Sequence, residues 1–596
     1  MEPEIYYIER LANLQAVLKK LLQKKSVFGW LRFGNIVTII IAFYLLWNLG
    51  IAYVIVAGVI LSVVFVKLIL ADTDNKKAIS NTKILIKINE DELTALTGNY
   101  SQFDDGLQHL PDTHLYANDL DIFGKNSLFQ FINRTTSESG SYQLANYLTQ
   151  PAAINEISQR QSAIKELSKK NEWLQAFQAE GKEKQIKIST KNRLQNWVDE
   201  KLIFSPFKPW KWLRYLLPII IISVVTLYIF NKVSSGIFYS SLLIFAVIAY
   251  QINKIVAPIH NNLSNIAEEL KVIAKSINLI EQELFETPLL QHLQSEFKLP
   301  NTTASKDIKQ LYKIIDKLDL RYNLLLSAPL NILLLWNLQQ VLDLEKWKVH
   351  HQNIINVWFT SIGNIEALLS LAILHFNQRA WAFPSIVPDY FFIEGKEVGH
   401  PLIVEKKRIN NDIIIKNDGE LMLITGSNMA GKSTYLRSIG VNVVLAMAGA
   451  PVCAKIFSVS HVQLISSMRI TDNLAESTST FYAELKKLKT IIEKVNKGEK
   501  VFILLDEILR GTNSLDRHTG SVALIKQLIK HNAAAIIATH DLELAKLTED
   551  FPAKIINYHF DVQVSNDELF FDYVLKPGIC TSLNASILMK KIGIEL

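Results

Sequence analysis

Two long apolar blocks interrupt a chain whose other segments mostly place apolar residues at helical three-and-four spacing. From Phe33 to Val66 no residue is charged. One helix of that length would run about 50 Å, against a hydrocarbon layer of about 30 Å. The break at Asn48-Leu49-Gly50 therefore predicts two spans folded as a hairpin, 34–48 and 51–69. The second block runs from Tyr215 to Phe230, breaks at Asn231-Lys232 and resumes from Val233 to Asn253. Trp210, Trp212, Tyr215 and Tyr250 lie near its ends, where amphipathic rings favour a membrane interface. Buried core helices are the alternative reading of both blocks.

Basic residues set the expected orientation. Lys19, Lys20, Lys24, Lys25 and Arg32 precede the first hairpin; Lys208, Lys211 and Arg214 precede the second, and Lys254 follows it. Only Lys232 lies in a turn between paired spans. The positive-inside rule then has both hairpins enter from the cytoplasm and return there. The expectation is a multi-pass protein of the cytoplasmic (inner) membrane, with about four transmembrane helices and everything else cytoplasmic. The N-terminus has no small-residue cleavage site behind a short apolar core, so no secretory signal is expected.

The segments between and after these blocks read as helices. Residues 152–200 are rich in Glu, Lys, Gln and Leu, and 257–300 repeat Leu263, Ile266, Leu270, Ile273, Ile277 and Ile280 as a core stripe. Leu324 to Trp336, with Pro329 and Asn331, predicts a buried helix pair, a further membrane span being the alternative. Ile354 to Phe376 is apolar too, but Glu366 at its centre argues for soluble core. At 596 residues several domains are needed, and the 49% apolar content is concentrated in the two blocks. The two cysteines, Cys453 and Cys580, exclude a disulfide framework or zinc site and fit a reducing compartment. A net charge of +6 permits nucleic-acid binding without demanding it.

The chemistry lies in the last third. Leu421 to Thr425 is an apolar strand, followed at once by Gly426-Ser427-Asn428-Met429-Ala430-Gly431-Lys432-Ser433-Thr434 and an amphipathic helix from Tyr435 to Ala448. This fits the phosphate-cradling pattern G-x-x-x-x-G-K-[ST] in its strand-then-helix context. Glycines let amide N–H groups and the helix N-terminus face an anion. Lys432 is placed for the outer phosphates and Ser433 for Mg²⁺, making ATP and Mg²⁺ the expected cofactors. Val501 to Glu507 is a second buried strand ending in two carboxylates: Asp506 for the Mg²⁺ shell, Glu507 to polarise the attacking water. Ala535 to His540 is a third, ending in a histidine that can stabilise the transferring group. Lys432, Glu507 and His540 are thus the catalytic candidates.

Longer runs around these groups resemble the MutS family of mismatch-repair ATPases. They are Thr425 to Arg437, Asp472 to Glu484, Leu505 to Asn513 and Ala538 to Asp541, in family order, with Gly399-His400-Pro401 and Asn411-Asp412 upstream. Ser127 to Thr136, Gly140 and Arg160-Gln161 resemble the opening of the family's helical core, and Pro577-Gly578 to Gly593 its C-terminal end. The likeness covers roughly 115–200 and 340–596. It implies an ATPase working as a dimer, with Ser479 of one subunit approaching the nucleotide of the other, Asn428 and Met429 flanking the nucleotide, and DNA as ligand. Departures are Glu476-Ser477, where a small residue and glycine are common, and Leu509 in place of a glycine. Near the N-terminus nothing matches the Phe-x-Glu wedge that intercalates at a mismatch. No Smr-type nuclease tail is expected after the ATPase.

The expected architecture is mixed: an α-helical core carrying transmembrane hairpins, then an α/β P-loop ATPase domain. Its parts are an N-terminal helix (1–32), a hairpin (33–70), a linker (71–114), the first part of the core (115–205), a second hairpin (213–254), clamp and lever helices (255–395) and the ATPase (396–596). The expected function is an ATP-dependent, DNA-binding clamp or sensor tethered to a membrane, acting as a homodimer. Basic residues Lys182, Lys184, Lys187, Lys191, Arg193 and Lys201 are its candidate phosphate contacts. The alternative is a membrane ATPase or scaffold that couples hydrolysis to transport or partner switching without DNA.

Overall fold

The computed structural model describes the chain except residues 1, 208, 353, 427–429, 469–479, 566–567 and 581–596. Helices α1 (Pro3–Leu46) and α2 (Ile51–Leu96) pack against each other as a hairpin. A 3₁₀ turn at Trp47–Leu49 and Gly50, at φ 121°, reverse the chain. Glycine is needed there because a Cβ strains that conformation. The outer surface of the apolar half is bare, and polar groups face inward near its base. Asp72 is 1% exposed and pairs with Arg32 at 3.1 Å and Lys76 at 3.0 Å. Asn75 donates to the Leu21 carbonyl at 3.1 Å.

Residues 71–96 are therefore helix, where the sequence reading expected linker. Their inward stripe includes Asp72, Asn75, Thr82, Asn89 and Glu92, so the helical period is carried by polar residues that an apolar pattern misses. The foot of the hairpin is tied to the body through Glu92. Arg134 Nε donates to it at 2.5 Å, Asn377 Nδ2 donates at 2.9 Å, and Tyr7 in turn donates to Asn377 at 2.8 Å.

The helical body begins with α3 (Leu128–Ile132), α4 (Glu138–Thr149), α5 (Ile154–Leu167), α6 (Asn171–Glu183) and α7 (Ile188–Asp199). A second hairpin, α8 (Trp210–Ile229) and α9 (Ser235–Ser264), projects from it. The chain returns through α10 (Ala267–Gln282), α11 (Pro288–Ser295), α12 (Ala304–Leu318), α13 (Leu324–Leu334), α14 (Trp336–His351) and α15 (Ile355–Asn377). The stripe from Leu263 to Ile280 is buried throughout. Five described helices are long and apolar enough to cross a membrane: α1 (counted on to Leu49), α2, α8, α9 and α15. Of these α15 is core, with 83% of its apolar window buried. Its Glu366 accepts from the Ser137 amide (3.0 Å), the Ser137 hydroxyl (2.5 Å) and the Thr136 hydroxyl (2.6 Å).

The expected buried pair at 324–336 is only half realised. Helix α13 is 11 residues, too short for a span, and lies half-exposed against α8 and α9. Leu335, at φ 47°, ends its path and turns α14 into the core.

The C-terminal part is mixed α/β. Strands β1 (Ser385–Val387), β2 (Ile393–Val398), β3 (Asn411–Ile415) and β5 (Ile456–Ser460) form a four-stranded sheet in the order β1-β5-β2-β3. The six-stranded sheet has the order β10-β9-β4-β8-β7-β6. Its strands are β4 (Leu421–Thr425), β6 (Gln463–Ser467), β7 (Val501–Asp506), β8 (Ala534–Thr539), β9 (Ile555–Ser565) and β10 (Glu568–Pro577). All neighbours in it are parallel except β9 and β10. Helices α16 (Lys432–Ala448), α17 (Thr480–Asn496), α18 (Ser514–Lys530) and α19 (Leu547–Asp550) complete the domain.

Helix α16 is buried on nearly every face, where an amphipathic helix was expected. The sheet covers one side and the helical part the other. At Gly440 an added Cβ would lie 2.8 Å from Leu120 and 2.9 Å from Leu504, and Arg160 donates to the Ala448 carbonyl at 3.2 Å. One core thus runs from the helical body into the α/β part.

Candidate functional site

Strand register builds the site. Thr425 of β4 pairs with Thr539 of β8, and Ala538 of β8 with Asp506 of β7, so three parallel strands end level. The next residues are Gly426, His540 and Glu507. Carboxyl ends of parallel strands are where α/β sheets hold ligands, because the loops leaving them diverge and helix N-termini point inward. Gly431, at φ 107°, turns the chain directly into α16, leaving Lys432 in the first turn.

Lys432 is 5% exposed; its ammonium donates to the Gly426 carbonyl at 2.7 Å and stands 3.4 Å from His540 Nε2. Burial pulls its pKa down to about 8, opposed by the carboxylates of Asp506 and Glu507. A bound polyanion would reverse that shift. Glu507, at φ 54°, has one carboxylate oxygen 2.5 Å from His540 Nε2 and the other 3.0 Å from Arg510 Nε. The His540 hydrogen bond, outweighing desolvation and helped by the Arg510 charge, holds its pKa below the usual carboxylate value. Asp506 is buried, with Arg510 at 3.5 Å.

Lys432, Asp506, Glu507 and His540 line a cavity of about 370 Å³ with Gly431, Ser433 and Thr434. Its far wall is apolar and aromatic, from Val398, Ile403, Ile409, Phe560 and Tyr573, with Lys407 at the rim. Asn411 closes the mouth, donating to the Tyr573 carbonyl at 3.0 Å and accepting from the Leu575 amide at 2.8 Å. The cavity thus has a cationic, helix-capped end suited to phosphates, two carboxylates for a metal and a water, and a hydrophobic end suited to a flat ring. No cluster of three or more His, Cys, Asp or Glu fit to hold a metal occurs among the described residues.

Of the sequence candidates, Lys432, Ser433, Thr434, Gly431, Asp506, Glu507 and His540 meet at this cavity. Gly426 touches it through the Lys432 bond, and Ala430 is buried just before the turn. Ser427, Asn428, Met429, Ser479 and the segment 472–478 lie outside the described residues, as does the C-terminal run to Gly593. Gly399 and His400 lie against α16: Asn442 donates to the Gly399 carbonyl at 2.9 Å, and burial lowers the His400 pKa to about 4. Sequence reasoning missed Arg510, Tyr573, Phe560 and Lys407. Only Arg510 carried a readable signal, a cation three residues after Glu507. The basic group at 182–201 is exposed except Lys191, which is partly covered, and Lys182 lies 3.5 Å from Asp91.

Strand, glycine turn and helix around a buried lysine, with carboxylates on the adjacent strand ends, define a mixed α/β domain with the geometry of a phosphate cradle. The MutS domain V family model matches residues 422–590. The DNA mismatch repair protein MutS of Aquifex pyrophilus is 35% identical over 225 residues, covering 37% of this chain and 26% of that protein. Those of Persephonella marina (32% over 238 residues; 39% and 27%) and Methanococcoides burtonii (32% over 229 residues; 36% and 25%) are similar. The C-terminal part of this chain is therefore similar to MutS proteins, and the match spans about a quarter of their length.

Proposed function

We propose that this chain is an ATP-binding and ATP-hydrolysing protein of MutS type, anchored in a membrane by α1–α2 and α8–α9, which works on DNA as a homodimeric clamp or sensor. The observation that carries the reading is the convergence of Lys432, Asp506, Glu507 and His540 on one cavity with an aromatic far wall. Lys432 would grip the outer phosphates, and Ser433 and Asp506 would hold Mg²⁺. ATP supplies the phosphoanhydride and Mg²⁺ the charge neutralisation. Glu507 orients and deprotonates the water, and His540, 2.5 Å from it, fixes the carboxylate and faces the developing charge. Ser479 of a second subunit would complete the site, as the resemblance implies.

Membrane anchoring is supported by the bare apolar halves of both hairpins, whose four windows are at most 22% buried. The cytoplasmic membrane, with the ATPase on the cytoplasmic side, is the proposed location. DNA binding is supported by the printed role of the similar proteins and the exposed cations at 184–201.

The test uses purified full-length protein in detergent. Lys432→Ala is expected to abolish ATP binding, and Glu507→Gln to keep binding while reducing turnover by about 100-fold or more. Parental hydrolysis by both variants would refute the role assignments. DNA retention should fall steeply between about 50 and 200 mM salt, as phosphate contacts do.

A further inference from the structure

Glu507 is engaged on both sides. His540 Nε2 stands 2.5 Å from one carboxylate oxygen and Arg510 Nε 3.0 Å from the other, so each oxygen of this cavity-lining carboxylate is engaged by a cation-forming group. Arg510 is braced as well, donating from Nη2 to the Asp506 carbonyl at 2.9 Å. Each oxygen keeps a further lone pair, but a carboxylate facing two such partners is a poorer proton acceptor than one held by His540 alone. The arrangement is that of a base restrained by Arg510.

What holds Arg510 in place is the turn that follows Glu507, and the shape of that turn traces to α17. Leu509 sits at φ 58°, a conformation a leucine keeps only when its surroundings impose it. Its amide donates to Glu484 Oε1 of α17 at 2.5 Å, and Glu484 is itself buried. Its side chain lies against Gly520 of α18, where an added Cβ would collide with it. At Gly511 a Cβ would lie 2.7 Å from Phe481 in the first turn of α17. The turn is thus moulded between α17 and α18, and one buried carboxylate pins its strained residue.

We propose that Glu484 is a positioning residue: it fixes the Leu509–Arg510 turn so that Arg510 acts as a latch over the Glu507 carboxylate, and displacement of α17 opens the latch. This rests on the reading of Glu507 as the water-activating base. Helix α17 is coupled to a distant part of the chain. Three residues beyond Glu484 its Lys487 bonds Asp119 at 2.5 Å, in the segment leading from α2. A pull on that attachment acts on Glu484, and through it on Arg510. The competing role for Arg510 is supply of positive charge to the transition state, which predicts the opposite kinetic effect.

The experiment takes the full-length protein in detergent with Arg510→Ala, Glu484→Ala, Glu484→Gln and the Arg510→Ala/Glu484→Ala double variant. Arg510→Ala and Glu484→Ala should each raise turnover at saturating ATP by about threefold, the size set by one half-exposed ion pair. The double variant should go no further, and the Kd for ATP should stay within about twofold of the parent in all of them. Without nucleotide, hydrogen–deuterium exchange at the Leu509 amide should quicken in Glu484→Ala and keep its protection in Glu484→Gln, which retains the accepting oxygen. Slower turnover of Arg510→Ala with unchanged ATP affinity overturns the latch. Unchanged Leu509 exchange in Glu484→Ala overturns the part given to Glu484. A parent that binds no ATP overturns the underlying site reading, a result separable from both.

Discussion

Helices α2 and α15 both carry apolar stretches long enough to cross a bilayer, and the fold treats them in opposite ways. None of the apolar window of α2 is buried, whereas 83% of that of α15 is. Both pass as apolar enough to span, at mean hydropathies of 2.9 and 1.6, and the placing of polar groups shows why only one is covered. In α15 the one carboxylate, Glu366, sits mid-helix and meets the Ser137 amide and hydroxyl and the Thr136 hydroxyl from the start of α4. A buried carboxylate needs such donors, so its presence calls for protein on that face. In α2 the polar groups gather below the apolar run, where Asp72 and Asn75 lock to α1, and from Ile51 to Val66 the run carries no charge. Here the apolar run with an interior charge is covered by protein, and the one with its charges at the base is left bare.

Four substitutions would break or sharpen this contrast. Leu368 in α15 is fully buried, and Leu368→Lys should cost more than about 4 kcal/mol by burying an unpaired ammonium. Thermal unfolding would show loss of a folded body, and a parental melting curve would remove α15 from the core. Val59, at mid-window of α2, is 57% exposed. Val59→Lys should leave the body's melting curve intact and weaken membrane insertion by about 3 kcal/mol. Alkaline extraction and flotation read that out, and a destabilised body would reverse the contrast.

At the base of the hairpin, Asp72→Ala removes the acceptor for Arg32 and Lys76 and should loosen α1 against α2 by about 1–2 kcal/mol. Amide exchange near Arg32 reports it. The smallest effect concerns Glu366, whose pKa is raised by burial against the lowering action of its hydrogen bonds. A carboxyl with a raised folded-state value favours the fold below its ordinary pKa and loses that contribution as pH rises through the folded value. Glu366→Gln does not titrate. Its melting temperature relative to the parent should therefore climb as pH rises from about 4.5, whatever the offset from lost acceptor capacity. A difference that is flat or falls with pH would contradict the sign.

The strand-end groups of the cavity were the most legible part of the chain, because each is read over a few residues and parallel register brings them level. Other features were hidden for physical reasons. The lower half of α2 turns polar residues inward, so its helical period has no apolar signal. Helix α16 looked two-faced because its second covering layer comes from residues some three hundred positions earlier, such as Leu120 and Arg160. Arg510 and Tyr573 gain their places from a strained turn and a bulge in β10, which no periodicity announces.

The two hairpins leave the body at different heights. The last buried residue of α1 below its polar lock is Leu14, so about 28 Å of helix separates it from the start of the charge-free run at Phe33. In α8, by contrast, Arg214 is bonded to Gln339 and Asp343, and the apolar run starts at the next residue. If both pairs enter one bilayer, α1 reaches it along an exposed stretch of helix that acts as a strut, whereas α8 enters straight from its bonds to the body.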